Sequence, residues 1–238
     1  ATSSDLYLAP LQRLAEMYEE IGDTPQQVRY LEKLDTLSPL NVNRKVSLGE
    51  AHFANGDLEK AEAFFEKAVV QMNREAADGL SALSSRIAGI YGERAPEMAE
   101  KFLRSSLEAK GKRLSRSDLS LFNQLGISLR RQGRWQDAIN EYKRAIKIAP
   151  DDSTLYYNVG MAFAEGADFL QAKANLVKAM DLDPELIKSN ASIACNFGAV
   201  FLQSGDRDRA AQFFQQALAL KPGMKIAFQG LQRAQTRA

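Results

Sequence analysis

"DAINEYKRAIKIAP", residues 137–150, decides how the rest of the chain is read. Ala138 and Ala145 bracket Tyr142 at spacings of four and three, and Pro150 follows five residues later. Such spacings put the three side chains on one stripe of an α-helix. The proline stops that helix, because the residue before a proline is driven out of helical conformation. The pattern returns in "QAKANLVKAMDLDP" (171–184), with Ala172, Leu176, Ala179 and Pro184, and in "RAAQFFQQALALKP" (209–222), with Ala210, Phe214, Ala217 and Pro222. Ahead of each lies a second set: Phe122, Leu125, Gly126, Leu129; Tyr156, Val159, Gly160, Phe163; and Ala194, Phe197, Gly198, Phe201. The first two units are spaced by 34 residues. Self-similarity at such a period marks an array of stacked helix pairs.

These residues resemble the tetratricopeptide repeat, a helix–turn–helix unit of about 34 residues. Units 119–152 and 153–186 match at every signature position, and unit 191–224 departs only at Ala194. Small residues at the eighth and twentieth places let the two helices of a unit approach closely. Gly133 and Gly205 stand where the first helix needs a left-handed residue to end. Towards the N-terminus, unit 8–41 offers Leu11, Leu14, Ala15, Tyr18, Gly22, Leu31 and Pro39, with departures at Gln27 and Leu34. Unit 42–75 offers Leu48, Gly49, Gly56, Ala61, Phe65 and Ala68, with departures at Lys45, His52 and Asn73. A degenerate unit is read at 80–111, where Ile87, Ala88 and Tyr91 fall one residue out of frame with Ala99, Leu103 and Ser106, as though the turn between them were shortened. The resemblance implies an all-α, right-handed α-solenoid of about six stacked repeats, the third degenerate, closed by a C-terminal capping helix.

The domain reading follows the repeats. Residues 1–110 hold the N-terminal units, 111–118 ("GKRLSRSD") form a basic linker or hinge, and 119–238 hold the C-terminal units with a cap at 225–237. Lys110, Lys112, Arg113 and Arg116 cluster at that linker. The inserted "IKSN" (187–190) is one helical turn long, so it is expected to lengthen the first helix of unit 191–224 without rotating its face.

The bulk numbers exclude much. Thirty-one Lys and Arg against 30 Asp and Glu leave a net charge of +1, without a global field to draw nucleic acid or an anionic membrane. No run approaches the length of a membrane span. One cysteine, Cys195, rules out an internal disulfide and fits a reducing, cytoplasmic setting. The opening "ATSSDLYLAP" shows no signal-peptide pattern and no initiating Met, which fits a processed chain or a piece of something longer. The sole histidine, His52, falls at the eleventh place of its repeat, normally a core position, so it reads as structural. With one His and one Cys, a zinc site built from those ligands is ruled out. No cofactor loop is visible, and the glycines are accounted for by packing and turns. "NAS" (190–192) is a common three-residue match to a glycosylation acceptor, and Trp135 reads as turn packing.

A functional reading therefore rests on the concave wall that the resemblance implies. In this family places 2, 5, 6, 9, 12 and 13 of each first helix face the groove. The sixth place is Gln124, Asn158 and Asn196, three carboxamides in consecutive repeats. A carboxamide carries both donors and acceptors and can pair with a peptide unit whatever its side chain. Asn123, Tyr157, Arg130, Arg131, Met161 and Cys195 are neighbouring groove places. The clamp that holds acidic chaperone tails is not matched, since only Asn158 fits its pattern. Unit 8–41 presents Arg13, Glu16, Glu19 and Glu20, an acidic wall suited to a basic segment or an interdomain contact. The expectation is a non-enzymatic scaffold that binds a protein or peptide segment, with neither nucleic acid nor membrane insertion. Self-association, or service as an interdomain module of a longer signalling protein, is the alternative.

Overall fold

The computed structural model describes residues 5–75 and 79–236. The first four residues of the N-terminal reading, and position 237 of the expected cap, lie outside these. Among the described residues there are fourteen α-helices and no strand. The chain divides into two compact units, residues 1–110 and 111–238.

The first unit is built from three helix pairs: α1 (Asp5–Glu20) with α2 (Thr24–Leu37), α3 (Val42–Ala54) with α4 (Leu58–Glu75), and α5 (Leu80–Tyr91) with α6 (Pro96–Lys110). Each pair packs on the next through its second helix, α2 on α3 and α4 on α5. Tyr91 is fully buried, edge-on to Phe53 and Phe65 at 5.2 and 5.4 Å and stacked on Phe102 at 6.0 Å. The frame slip has a local cause. Helix α5 stops at Tyr91, its twelfth residue, and Gly92 takes a positive φ of 48° immediately after.

The second unit begins with two short 3-10 turns, Gly111–Arg113 and Arg116–Asp118. Asp118 is fully buried, and its carboxylate accepts from the Ser115 backbone N–H at 3.0 Å, closing a capping box. Arg116 forms an ion pair with Asp151. There follow α7 (Leu119–Arg131), α8 (Trp135–Ile148), α9 (Ser153–Glu165), α10 (Phe169–Leu182), α11 (Glu185–Lys188), α12 (Ala191–Gln203), α13 (Arg207–Leu220) and α14 (Lys225–Gln235). Aspartates cap the second helices α10 and α13: Asp168 accepts from Gln171 N–H and Asp206 from Arg209 N–H. Such caps satisfy backbone donors that the first helical turn leaves open.

The eighth-place glycines are set by contact. A Cβ on Gly160 would stand 2.8 Å from Leu176 Cδ2, one on Gly198 2.8 Å from Phe214 Cδ1, and one on Gly126 would overlap the Tyr142 ring. The first helix of each repeat thus lies directly on the twenty-fourth-place side chain of the second.

The insertion behaves differently from the expectation. Helix α12 is not lengthened. Residues Glu185–Lys188 form a separate turn, and the chain breaks at Asn190, which adopts an extended backbone (φ −138°, ψ 110°). The Asn190 side chain accepts from Ser192 N–H at 2.9 Å and Ile193 N–H at 3.2 Å. Asparagine is a strong N-cap and a mediocre interior residue, so it starts a new helix rather than continuing the old one.

At the C-terminal end α14 lays Ala227 and Gly230 against the last repeat, with Gly230 over the Phe214 ring. Arg207 Nη1 donates to the carbonyls of Arg233 and Thr236 at 2.9 and 2.7 Å, which satisfies the open end of α14. Phe228 and Ile226 remain 54% and 68% exposed.

Candidate functional site

The first helices of the second unit are tied to one another by side-chain bonds with a common offset. Asn158 Nδ2 donates to Asn123 Oδ1 at 3.1 Å, joining α9 to α7. Arg130 Nε donates to Glu165 Oε2 at 2.9 Å and Nη2 to Oε1, a two-pronged pair joining the same helices. Both span 35 residues, one repeat plus one. Asn196 Nδ2 donates to the Tyr157 hydroxyl at 2.7 Å, across 39 residues, the same 35 plus the four inserted. The larger Tyr157 makes the reach where the extra turn α11 intervenes, and its ring lies 6.3 Å from Phe197.

The resulting surface has three rows, each about one helical turn from the next. The first is amide and phenol: Asn123, Asn158, Tyr157 and Asn196. The second is apolar: Ile127 at 36% exposure, Met161 half-buried and Ala199 exposed. The third holds the Arg130–Glu165 pair, exposed Arg131 and exposed Gln203.

Electrostatics on this wall are mostly internal. Burial draws the Arg130 guanidinium down, but the bond and charge of Glu165 outweigh it and hold the group above its ordinary value. Burial pushes the Tyr157 phenol up, opposed by donation from Asn196. Burial likewise pushes up the Cys195 thiol.

The wall departs in detail from the sequence reading. Asn158 is only 7% exposed, and the amides of Asn158 and Asn196 are engaged with neighbouring repeats rather than standing open. Cys195 is 3% exposed and belongs to the core with Phe197 and Phe201, so it does not line a groove. Gln124 is half-buried, and its Oε1 is buried without a hydrogen-bond partner. The pairing itself was not anticipated, although a place-five residue of one repeat and a place-six residue of the next are 35 apart in the sequence. Trp135 packs at the turn, its Cδ1 2.7 Å from where a Cβ on Gly166 would sit.

Among the described residues no cluster of three His, Cys, Asp or Glu could hold a metal ion. No described helix is long and apolar enough to cross a membrane.

Four family models match along the chain. Three are described as tetratricopeptide repeat, over residues 26–79, 153–186 and 196–226, and one as TPR repeat, over 126–165. Solved structures share the fold at low identity. A chain of the APC/C hetero-tetramer Cut9–Hcn1 is 17% identical with a TM-score of 0.57, over 96% of this chain and 43% of that one. The present chain thus spans less than half of that relative. PilF of Pseudomonas aeruginosa is 18% identical with a TM-score of 0.56, over 97% and 99% of the two chains. YrrB, described as a TPR protein with an unusual peptide-binding site, is 18% identical with a TM-score of 0.55, over 85% and 97%.

Proposed function

Because the chain belongs to the tetratricopeptide repeat family, we propose that it is a non-enzymatic interaction scaffold whose second unit holds an extended peptide against its first-helix wall. The observation that carries this reading is the amide row. Asn158 and Asn196 each use one donor between repeats, which leaves each a carbonyl oxygen and a second N–H. Gln124 Oε1 has no partner at all, and a buried acceptor without one is costly. A peptide N–H running along the row can pair with the carbonyl oxygens left on Asn158 and Asn196, while the buried Gln124 Oε1 lies behind them. YrrB, described as having an unusual peptide-binding site, is consistent with such a use of the fold. A single, buried cysteine fits a cytoplasmic setting.

The test compares the unaltered chain with Gln124→Ala and with the triple variant Gln124→Ala/Asn158→Ala/Asn196→Ala in titrations against the natural partner. Loss of affinity in both supports the row as the binding element. Unchanged affinity in the triple variant removes the assignment. Gln124→Ala breaks no hydrogen bond at Oε1, and melting temperatures of all variants, measured alongside, separate a change in stability from a change in affinity.

A second reading, self-association or docking to another domain, is favoured by exposed Phe228 and Ile226 on α14. Light scattering after size exclusion decides it: a mass of one chain at all concentrations rules out self-association.

A further inference from the structure

We propose, on the basis of the groove reading above, that the wall of the second unit selects an uncharged segment in a three-residue-per-turn extended conformation, with apolar side chains at positions i and i+3. Three observations lead there. The first is register. Ile127 and Met161 occupy the same place in consecutive repeats, 34 residues apart, on the packed helices α7 and α9. Packed helices lie roughly 8–10 Å apart. Three residues of polyproline-type chain rise about 9.3 Å and return the side chain to the same side. A β-strand covers a similar length in three residues but turns the third side chain away. One anchor per repeat therefore calls for the threefold conformation.

The second observation is charge. Of the ionised groups in the row beside the apolar one, Arg130 and Glu165 are bonded to each other through two guanidinium nitrogens and both carboxylate oxygens, and Arg131 stands at the exposed outer edge. A charged ligand side chain laid over them meets a compensated pair, loses hydration and gains no counter-ion. An uncharged side chain has no ionic hydration to lose there.

The third is the opposite flank. Asn123 and Asn158 form a bonded pair one turn from Ile127 and Met161, and the two amides together still carry an acceptor and further donors beyond that bond. A chain without internal hydrogen bonds, which the threefold conformation is, presents its own carbonyls and N–H groups for that purpose. Ala199 holds the same place on α12 but offers little area, so the recognised pair is i and i+3, held by Ile127 and Met161.

The experiment uses the full chain and two synthetic, uncharged, end-blocked peptides of identical composition. In one, leucines recur every third residue in a proline- and glutamine-rich background; in the other, every second residue. Methyl resonances of Met161 and Ile127 are followed during titration. The period-three peptide is expected to shift both, with affinity at least about tenfold above the period-two peptide, and Met161→Glu is expected to abolish that preference. Ile127→Gln serves as the second variant, and helical content with melting temperature confirms that both fold. Equal affinity for the two peptides overturns the spacing rule and leaves the groove reading standing. If neither peptide moves these methyls while the amide variants still weaken the natural partner, this inference alone falls. Loss of both results removes the groove reading as well.

Discussion

The amide of Asn158 on α9 donates to the amide oxygen of Asn123 on α7 at 3.1 Å, which makes a partly buried carboxamide pair the link between two repeats. A hydrogen bond of this kind contributes about 1 kcal/mol net, and the group left behind loses more if it stays buried. Asn123→Ala is therefore expected to lower stability by about 1–2 kcal/mol in chemical denaturation. Adding Asn158→Ala should cost less than the sum of the two singles. Full additivity would show that the pair is not coupled.

Gly126 faces the Tyr142 ring with no room for a methyl group. Gly126→Ala forces α7 and α8 apart or drives Tyr142 off its rotamer, at about 1–3 kcal/mol. Pairing it with Tyr142→Leu should recover part of the loss, since a Cβ on Gly160, beside the equivalent leucine Leu176, would stand at 2.8 Å, a milder clash than the overlap with the Tyr142 ring. Calorimetric melting of the three variants checks this.

Ala167 is the one non-glycine residue with positive φ, 61°, among the described residues. The matching turns use Gly133 and Gly205; here the glycine falls one position earlier, at Gly166 beneath Trp135. Ala167→Gly relieves the clash of Cβ with the backbone, about 1 kcal/mol, and should raise the melting temperature by about 2–4 °C. A fall would mean that unfolded-chain entropy dominates.

His52 is 4% exposed, stacked on Phe64 at 5.4 Å, with Nε2 buried and without a hydrogen-bond partner. Burial holds its imidazole below the ordinary value; Asp57 and Glu32 oppose this and Lys60 adds to it. The unfolded chain binds the proton more readily, so stability is complete above about pH 6.5 and declines as pH falls from there through the depressed folded value. His52→Phe, which supplies the aromatic found at Phe163 and Phe201, should flatten the melting temperature between pH 5 and 7. A slope that persists in the variant assigns the effect to another group.

The repeats could be read from the sequence because each turn, stripe and proline is a local signal, confined within a single unit of about 34 residues. That is why Tyr142, Phe214 and the glycines opposite them were placed from spacing alone. The break at Asn190 does not show in the spacing, because four residues equal a helical turn only if the helix continues, and the capping preference of one side chain decides otherwise. The engagement of Asn158 and Asn196 does not show for a different reason. Register gives the wall a side chain faces, but whether two amides meet depends on the distance between repeats, which no single repeat encodes. Cys195 shows the same limit, since its place faces a groove only if α12 stands in the orientation of its neighbours.

Each bond in the first-helix series joins one repeat to the next, and none stays within a repeat. In a linear array, the sharpness of unfolding depends on such nearest-neighbour terms more than on the strength of any unit. The surface proposed to hold a peptide is thus also the one that carries these nearest-neighbour terms of the second unit. A segment laid across Asn123, Asn158 and Asn196 spans two junctions at once, so occupancy should sharpen the melting transition as well as shift it, and amide exchange should slow at both junctions together.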